Sequence, residues 1–307
     1  MPRLAPIVVA LAAGLVLAAC GGSSNSTTSA PAASSAAAAT TGGAASTVAA
    51  TTAANGLSAA CAKESLPVKT SGQLTAATSD PAFPPYVIDN DPTTGKGFES
   101  ALVYALAQQL GFSKDEVKWD KATFDQAIAP GPKQWDVNIQ QVSINPDRKK
   151  AVSFSDPYYT APQAIVVFKD SKFANATSLA ALKDAKLGTQ IGTSSLDAAK
   201  TLIAPTKDVQ VYNDTSAATA ALKNKQIDGI VVDLPTALFL TATELDNAKV
   251  LGQFSAPGGD DWGIVLPKDS KLTTCLDEAL AALKSSGQLD AITKQWMTDS
   301  AGAPELQ

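Results

Sequence analysis

Histidine is absent from the 307-residue sequence, and methionine and cysteine are scarce, with two and three residues. The lack of histidine excludes His-dependent nucleophilic and metal chemistry. Basic residues number 24 against 29 acidic residues, and no basic cluster is long enough to follow a phosphate backbone. We therefore expect no nucleic-acid partner, no metal and no cofactor.

Long apolar runs are also missing, apart from one at the N-terminus that is shorter than a bilayer span. The sequence MPRLAPIVVALAAGLVLAAC (1–20) has one basic residue, an apolar run and small residues before Cys20, as in an export signal. Its last four residues resemble the lipobox of bacterial lipoproteins, in which the cysteine is lipidated and becomes the first mature residue. This predicts a membrane anchor at Cys20; an ordinary signal with a chance cysteine is the alternative.

Residues 21–60 contain almost no charged, aromatic or large aliphatic residues. Such a segment cannot bury enough surface to offset chain entropy, which predicts a disordered tether. Its root-mean-square reach would be about 35 Å.

Two cysteines remain once Cys20 is assigned to lipid: Cys61, directly after the tether, and Cys275, near the C-terminus. An exported protein would pair them in a disulfide, which requires the start and the end of the folded region to be neighbours. Two free buried thiols are the alternative.

Short apolar strands alternate with amphipathic helices after the tether, which predicts an α/β fold with mostly parallel sheets. In FESALVYALAQQLG, Leu102, Leu106 and Leu110 share one helix face, and Gly111 stands where a helix-ending glycine belongs.

One pattern occurs twice. KQWDVNI (133–139) and KQIDGIVV (225–232) both indicate a helix end, a turn and a buried strand, and each precedes a helix opened by proline, Pro146 or Pro235. The repetition predicts two lobes, and the carboxyl ends of the two strands would face one cleft.

Two proline-containing segments, SFSDPYYTAP (153–162) and FSAPGG (254–259), stand where the chain could leave the first lobe and return to it. They predict a two-segment hinge. Lobe 1 would comprise residues 61–161 and 257–307, and lobe 2 residues 162–256. An edge strand with ordinary packing tyrosines is the alternative for the first segment.

An ordered set of motifs between residues 73 and 296 resembles the extracellular solute-binding proteins of polar amino-acid ABC importers. The motifs include LTAATSDPAFPPY, GKGFESALVYALAQQLG, WDVNIQQVSINPDRKKAVSFSDPYY, KLGTQIGTSS, QIDGIVVDLPTAL and a C-terminal segment that starts with WGIVLPKDSKLTT. The resemblance implies a two-lobe periplasmic-binding fold of type II and no enzymatic activity. It implies a monomer outside the cytoplasm that carries a polar or cationic amino acid to a membrane permease.

The resemblance also assigns the contacts to the ligand's α-groups. Arg148 would grip the α-carboxylate with a two-donor fork beside the Ser143 hydroxyl, and Asp233 would bind the α-ammonium. Thr193 and Ser194 would offer further donors at a helix start. The alternatives are a solvated charge for Arg148 and helix capping for Thr193, Ser194 and Asp233; Asn145 is expected to cap a helix.

For the ligand side chain, the resemblance points to Asp80 as a hydrogen-bond acceptor and to Phe83 and Phe124 as stacking partners. Both aromatics could equally be core residues. Where the family usually has small residues, this chain has Gln140 and Gln141. We count Gln141 among the ligand contacts; whether the two amides shrink or re-polarise the pocket stays open at this point.

Two other functions stay open. Enzymes on the same fold include a prephenate or arogenate dehydratase and a peptidoglycan lyase, for which Asp80 or Asp233 would be the acid/base candidates. A sensory or adhesive amino-acid-binding module without a transporter would fit a lone lipid anchor as well.

Overall fold

The computed structural model describes residues 56–297 and 303–307. The predicted export signal (1–20), its Cys20 and residues 21–55 of the predicted tether lie outside the described residues. Among the residues described, no helix has the length and apolar character needed to cross a bilayer.

The described residues form two five-stranded sheets and a two-stranded ribbon. The strands are β1 (Leu74–Thr78), β2 (Val117–Lys121), β3 (Val137–Asn138), β4 (Ser153–Phe154), β5 (Tyr159–Thr160), β6 (Gln163–Phe168), β7 (Leu187–Gln190), β8 (Gln210–Tyr212), β9 (Gly229–Asp233), β10 (Ala248–Phe254), β11 (Asp261–Trp262) and β12 (Val265–Leu266). The helices are α1 (Phe98–Gln109), α2 (Phe124–Ile128), α3 (Pro146–Ala151), α4 (Ser194–Ala198), α5 (Thr215–Lys223), α6 (Leu234–Phe239), α7 (Leu272–Ser285) and α8 (Gln288–Trp296).

Lobe 1 is built on the sheet with strand order β2-β1-β3-β12-β4. Its first three strands are parallel, and β12 is antiparallel to β3 and β4. Helices α1, α7 and α8 cover one face. The predicted helix face of Leu102, Leu106 and Leu110 is confirmed, since each side chain is at most 2% exposed, and Gly111 follows α1 with a φ of 85°.

Lobe 2 is built on the sheet with strand order β10-β6-β9-β7-β8. Strand β6 is antiparallel to β9 and β10, whereas β7 is parallel to β8 and β9. Apolar residues of α5 and α6 pack on one face of this sheet, and residues of α4 pack on the other. Helices on both faces bury the sheet, as expected for an α/β architecture.

Within the part of the chain that the structure describes, two segments connect the lobes, which confirms the predicted two-segment hinge. The chain leaves lobe 1 through β5 and returns through β11, and these strands pair antiparallel, with Tyr159 opposite Trp262. The tyrosines also pack as core residues: Tyr158 is 3% exposed, and the Tyr159 ring lies 5.1 Å from the Trp262 ring. The crossing ribbon is therefore fixed to lobe 1 by an aromatic cluster.

The predicted disulfide is present between Cys61 and Cys275, with an S–S distance of 2.05 Å. It ties the start of the folded region to α7. The predicted tether, however, ends before residue 60. Leu57 is 3% exposed in the core of lobe 1, and the backbone N–H and hydroxyl of Ser58 donate to the Glu278 carboxylate at 2.8 and 2.9 Å. Leu57 has apolar surface to bury, which explains why the chain packs here.

The assignment of residues 257–307 to lobe 1 is wrong for the last five residues. The Gln253 N–H donates to the Pro304 carbonyl, and the Leu306 N–H donates to the Gln253 carbonyl, both at 2.8 Å. Leu306 is buried among the apolar side chains of lobe 2. These contacts satisfy backbone groups at the edge of β10 and bury an apolar side chain. Residues 303–307 therefore pack on lobe 2 and not on lobe 1.

Candidate functional site

A cavity of about 140 Å³ lies between the lobes, where strands β1, β2, β3, β7, β8 and β9 end. This volume is far larger than the ~10–15 Å³ that admits one water. Seven of the predicted site residues line it: Asp80, Phe83, Phe124, Gln141, Thr193, Ser194 and Asp233. The other two, Ser143 and Arg148, do not line the cavity but contact the lining residues Ser194 and Phe124. Both lobes contribute, as expected where strand ends converge.

Arg148 lies on α3 and spans the two lobes. Its side chain is buried, at 7% exposure, so it is not the solvated charge of the alternative. The guanidinium donates to the Ser143 carbonyl at 2.7 Å and, across the cleft, to the Gly192 carbonyl at 3.0 Å. Burial lowers the pKa of Arg148, and the carboxylates of Asp233 and Asp197 oppose that shift. Two of the five guanidinium N–H donors are engaged by these carbonyls.

The helix that carries Arg148 begins as predicted. The Asn145 side chain accepts a hydrogen bond from the Arg148 N–H at 2.8 Å, and Pro146 occupies the first helical position. The Arg148 guanidinium also lies 5.2 Å from the centroid of the Phe124 ring, so a cation–π contact from α2 holds it in place.

Three hydroxyl groups meet at the cleft beside Arg148. The Ser143 hydroxyl of lobe 1 and the Ser194 hydroxyl of lobe 2 are hydrogen-bonded to each other at 3.0 Å and are buried. The Thr193 hydroxyl donates to the Gln190 carbonyl at 2.8 Å and accepts from the Leu196 N–H at 3.2 Å. Thr193 thus caps α4, which was the alternative role predicted for it. The hydroxyls of Ser143 and Ser194, among the described residues, have only each other as hydrogen-bond partners.

Asp233 ends β9 and faces the cavity from lobe 2. Its carboxylate does not cap α6, which removes the capping alternative. It accepts a hydrogen bond of 2.5 Å from the Gln163 amide. Burial raises the pKa of Asp233 to about 7, with Asp260 and Glu99 adding to the shift and Gln163 and Arg148 opposing it. A cation placed in the cavity would favour its ionised form.

Glu99, which the sequence analysis did not identify, is a second buried carboxylate and is 0% exposed. It accepts hydrogen bonds from the Gln141 N–H at 2.9 Å, from the Gln141 side chain and from the Tyr158 hydroxyl. Burial raises its pKa to about 7, although these three donors oppose the shift. Glu99 therefore links the cavity wall at Gln141 to the crossing segment at Tyr158.

Gln141 has a φ of 54°, a left-handed conformation that costs free energy in a residue other than glycine. Its two hydrogen bonds to Glu99 hold it there. The neighbouring Gln140 is 3% exposed and donates to the Asn138 side chain at 2.9 Å. Both amides line the cavity, and both are anchored to residues of lobe 1.

The sequence analysis also missed Gln163 and Tyr86. Gln163 positions the Asp233 carboxylate, and Tyr86 contacts the opposite lobe. The Gln163 amide accepts from the Ser195 hydroxyl at 2.5 Å while donating to Asp233. The buried Tyr86 hydroxyl and the Thr236 hydroxyl are 2.8 Å apart across the lobes. Glu99 had a sequence signal, because it shares a helix face with Leu102 and Leu106; Gln163 and Tyr86 had none.

Comparisons with known proteins agree on one family. The profile of the bacterial extracellular solute-binding proteins, family 3, matches residues 75–299. The L-cystine-binding protein TcyJ of Escherichia coli K12 is 30% identical over 234 residues, which cover 75% of this chain and 84% of that protein. The arginine-binding extracellular protein ArtP of Bacillus subtilis is 30% identical over 207 residues, which cover 66% of this chain and 78% of that protein.

Among solved structures, an ancestral arginine-binding protein bound to glutamine is similar in fold. It superposes with a TM-score of 0.64 at 33% sequence identity and covers 74% of this chain and 98% of that chain.

Proposed function

This chain belongs to the bacterial extracellular solute-binding proteins of family 3, and on that premise we propose that it captures an amino acid between its lobes and delivers it to the permease of an ABC importer. The ligand is a polar or cationic amino acid that is carried without chemical change. The observation that carries the proposal is a buried Arg148 guanidinium of lobe 1 that reaches across the cleft to the Gly192 carbonyl, together with an Asp233 carboxylate of lobe 2 that lines the cavity.

The pair suits a zwitterion. The α-carboxylate binds to the guanidinium donors of Arg148, which present two parallel N–H groups in a fixed plane. The α-ammonium binds to Asp233, whose ionised form needs a nearby cation because the group is withdrawn from water. Each ligand charge thus meets a partner fixed to a different lobe.

The hydroxyls of Ser143 and Ser194 serve the carboxylate together with Arg148. In the structure they bond to each other at 3.0 Å, and on binding they exchange that hydrogen bond for bonds to a carboxylate oxygen. Thr193 is part of the cavity wall, but its hydroxyl is already hydrogen-bonded in the cap of α4. Phe83 and Phe124 flank the ligand side chain, and Asp80 and Gln141 complete the lobe 1 side.

Closure of the lobes depends on the ligand in this mechanism. An ion buried without a partner costs several kcal/mol, so the closed form is favoured only when the ligand's two charges satisfy Arg148 and Asp233. The ligand shifts the population by the free energy of its differential contacts. The permease then recognises the closed form.

The export signal and Cys20 support a protein secreted across the cell membrane and held there by lipid on residue 20. The weakly polar segment that follows would act as the tether, and we propose that the folded part works as a monomer. Release of a Cys20→Ala variant from the membrane fraction would support the anchor.

The relatives reported above are named as binding proteins, which favours this function over a dehydratase-like enzyme.

A thermal-shift screen over the twenty standard amino acids and L-cystine tests the proposal. A ligand at 100 times its Kd should add about 2.7 kcal/mol to the free energy of unfolding, and for this chain length that raises Tm by roughly 5–10 °C. We expect at least one polar or cationic amino acid to do so. A panel without any shift would refute the carrier function, and turnover of prephenate would then favour the enzyme.

A further inference from the structure

The charge of Asp80 at the cavity wall is already paired. The Lys121 ammonium lies 2.8 Å from the Asp80 carboxylate, and the Asn90 side chain donates to the same oxygen at 3.4 Å. The pair is about half exposed, with side-chain exposures of 50% and 48%. Asp80 therefore does not present an uncompensated negative charge to a ligand side chain.

The backbone fixes the position of Lys121. It is the last residue of β2 and lies opposite Thr78, two residues before Asp80. The ladder between β1 and β2 thus places Lys121 within reach of Asp80, which lines the cavity, although Lys121 itself is not a lining residue. An exposed ion pair of this kind is weak, but an incoming cation that displaced Lys121 from Asp80 would still face a like charge nearby. Lys121 is a repulsive element against cationic side chains.

The other carboxylates of the cavity wall are also engaged. Asp233 accepts a hydrogen bond of 2.5 Å from the Gln163 amide and would bind the α-ammonium. Asp214 accepts a hydrogen bond of 2.8 Å from the Ala217 N–H and caps α5, where the helix N-terminus favours its charge. Among the described residues that line the cavity, these two and Asp80 are the acidic ones. A cationic side chain would find no carboxylate without a partner.

Four side-chain amides also line the cavity, beside eight serine and threonine residues. The lining amides are those of Gln140, Gln141, Gln190 and Asn213. The side-chain oxygen of Gln190 (Oε1) accepts a hydrogen bond of 3.0 Å from the Thr215 hydroxyl. An amide offers both a donor and an acceptor without charge. A ligand side chain that carries a carboxamide is complementary to such a wall.

We propose that the ligand is an amino acid with an uncharged carboxamide side chain, and that the Lys121–Asp80 pair excludes cationic amino acids. This inference rests on the proposed function and narrows its ligand class. It assigns Lys121, which lies outside the predicted site residues, a role in specificity.

Isothermal titration with L-glutamine, L-asparagine, L-arginine, L-lysine and L-glutamate, at low ionic strength, tests this. The wild-type protein should bind a carboxamide amino acid at least about tenfold more tightly than either cationic one. In Lys121→Met the affinity for arginine and lysine should rise about tenfold, while glutamine affinity stays within about threefold. The matched control is Lys118→Met. It removes an exposed lysine of the same strand, whose ammonium donates to the Asp115 carbonyl. This variant should change neither the affinity for arginine and lysine nor the affinity for glutamine.

The outcomes separate the two proposals. Wild-type preference for arginine or lysine, or an unchanged arginine affinity in a folded Lys121→Met variant, would overturn the inference and leave the carrier function intact. Lack of binding by every amino acid in the wider thermal-shift panel would overturn the function itself. Added salt should reduce the difference between Lys121→Met and wild type, because it screens exposed charges.

Discussion

Arg148→Ala should raise the Kd for the bound amino acid by roughly thirtyfold or more, because truncating one partner of a buried charge pair costs about 2–5 kcal/mol. The guanidinium is buried, and it is the basic group that bridges Ser143 and Gly192 across the cleft. Arg148→Lys should recover only part of the affinity, since an ammonium keeps the charge and loses the planar fork. Titration calorimetry measures the Kd of the wild type, Arg148→Ala and Arg148→Lys.

Lys150→Ala is the matched control for this prediction. Lys150 lies on the same helix, its side chain is 77% exposed, and it pairs with Asp147, so its loss should change Kd less than about threefold. The Tm of each ligand-free variant is measured as well, because Arg148 also bonds to two carbonyls. If Arg148→Ala is folded and binds within threefold of wild type, the carboxylate is held elsewhere.

Removal of the disulfide should produce the second large effect, on stability rather than on binding. The bond joins residues 214 positions apart, and closing so long a loop restricts the unfolded chain strongly. The double variant Cys61→Ala/Cys275→Ala should lose about 2–5 kcal/mol, which corresponds to a fall in Tm of roughly 5–20 °C. Differential scanning calorimetry of the ligand-free proteins measures it.

The reductant response distinguishes the disulfide from the packing of its side chains. Wild-type protein treated with dithiothreitol should approach the Tm of the double variant, and the variant itself should not respond. Ligand affinity should be unchanged in both, since neither cysteine lines the cavity. Equal Tm values for oxidised and fully reduced wild type would contradict the stabilising role of the bond.

Features that arise from local periodicity could be predicted from the sequence. The spacing of Leu102, Leu106 and Leu110 places one face of α1 in the core, and Asn145 before Pro146 marks the start of α3. The doubled strand-turn-helix pattern indicated two lobes, because strand ends in such units converge. The pairing of Cys61 with Cys275 followed from having two cysteines in an exported domain.

Features that depend on contacts between distant residues could not be predicted in this way. Nothing local in the sequence places Lys121 against Asp80 or the Tyr86 hydroxyl against Thr236. The packing of Leu306 on lobe 2 depends on an edge strand that is distant in sequence. The left-handed backbone of Gln141 is held by Glu99, 42 positions away, so it was visible only in the folded chain.

Some residues had two plausible roles, and local sequence could not choose between them. Thr193 is both a capping residue and part of the cavity wall, while Asp233 stands at a helix start without capping it. Phe124 packs in the core of lobe 1 and also supports the Arg148 guanidinium. Only the contacts of each side chain in the folded chain resolve such cases.

In the proposed mechanism, groups from opposite lobes jointly neutralise a zwitterion. Titration calorimetry with the best amino acid of the panel and its two singly blocked forms, the N-acetyl derivative and the α-carboxamide, tests this most directly. Each blocked form should bind at least about a hundredfold more weakly than the parent, since it leaves Asp233 or Arg148 buried without its counter-charge. Binding of either form within tenfold of the parent would show that one lobe holds the ligand alone.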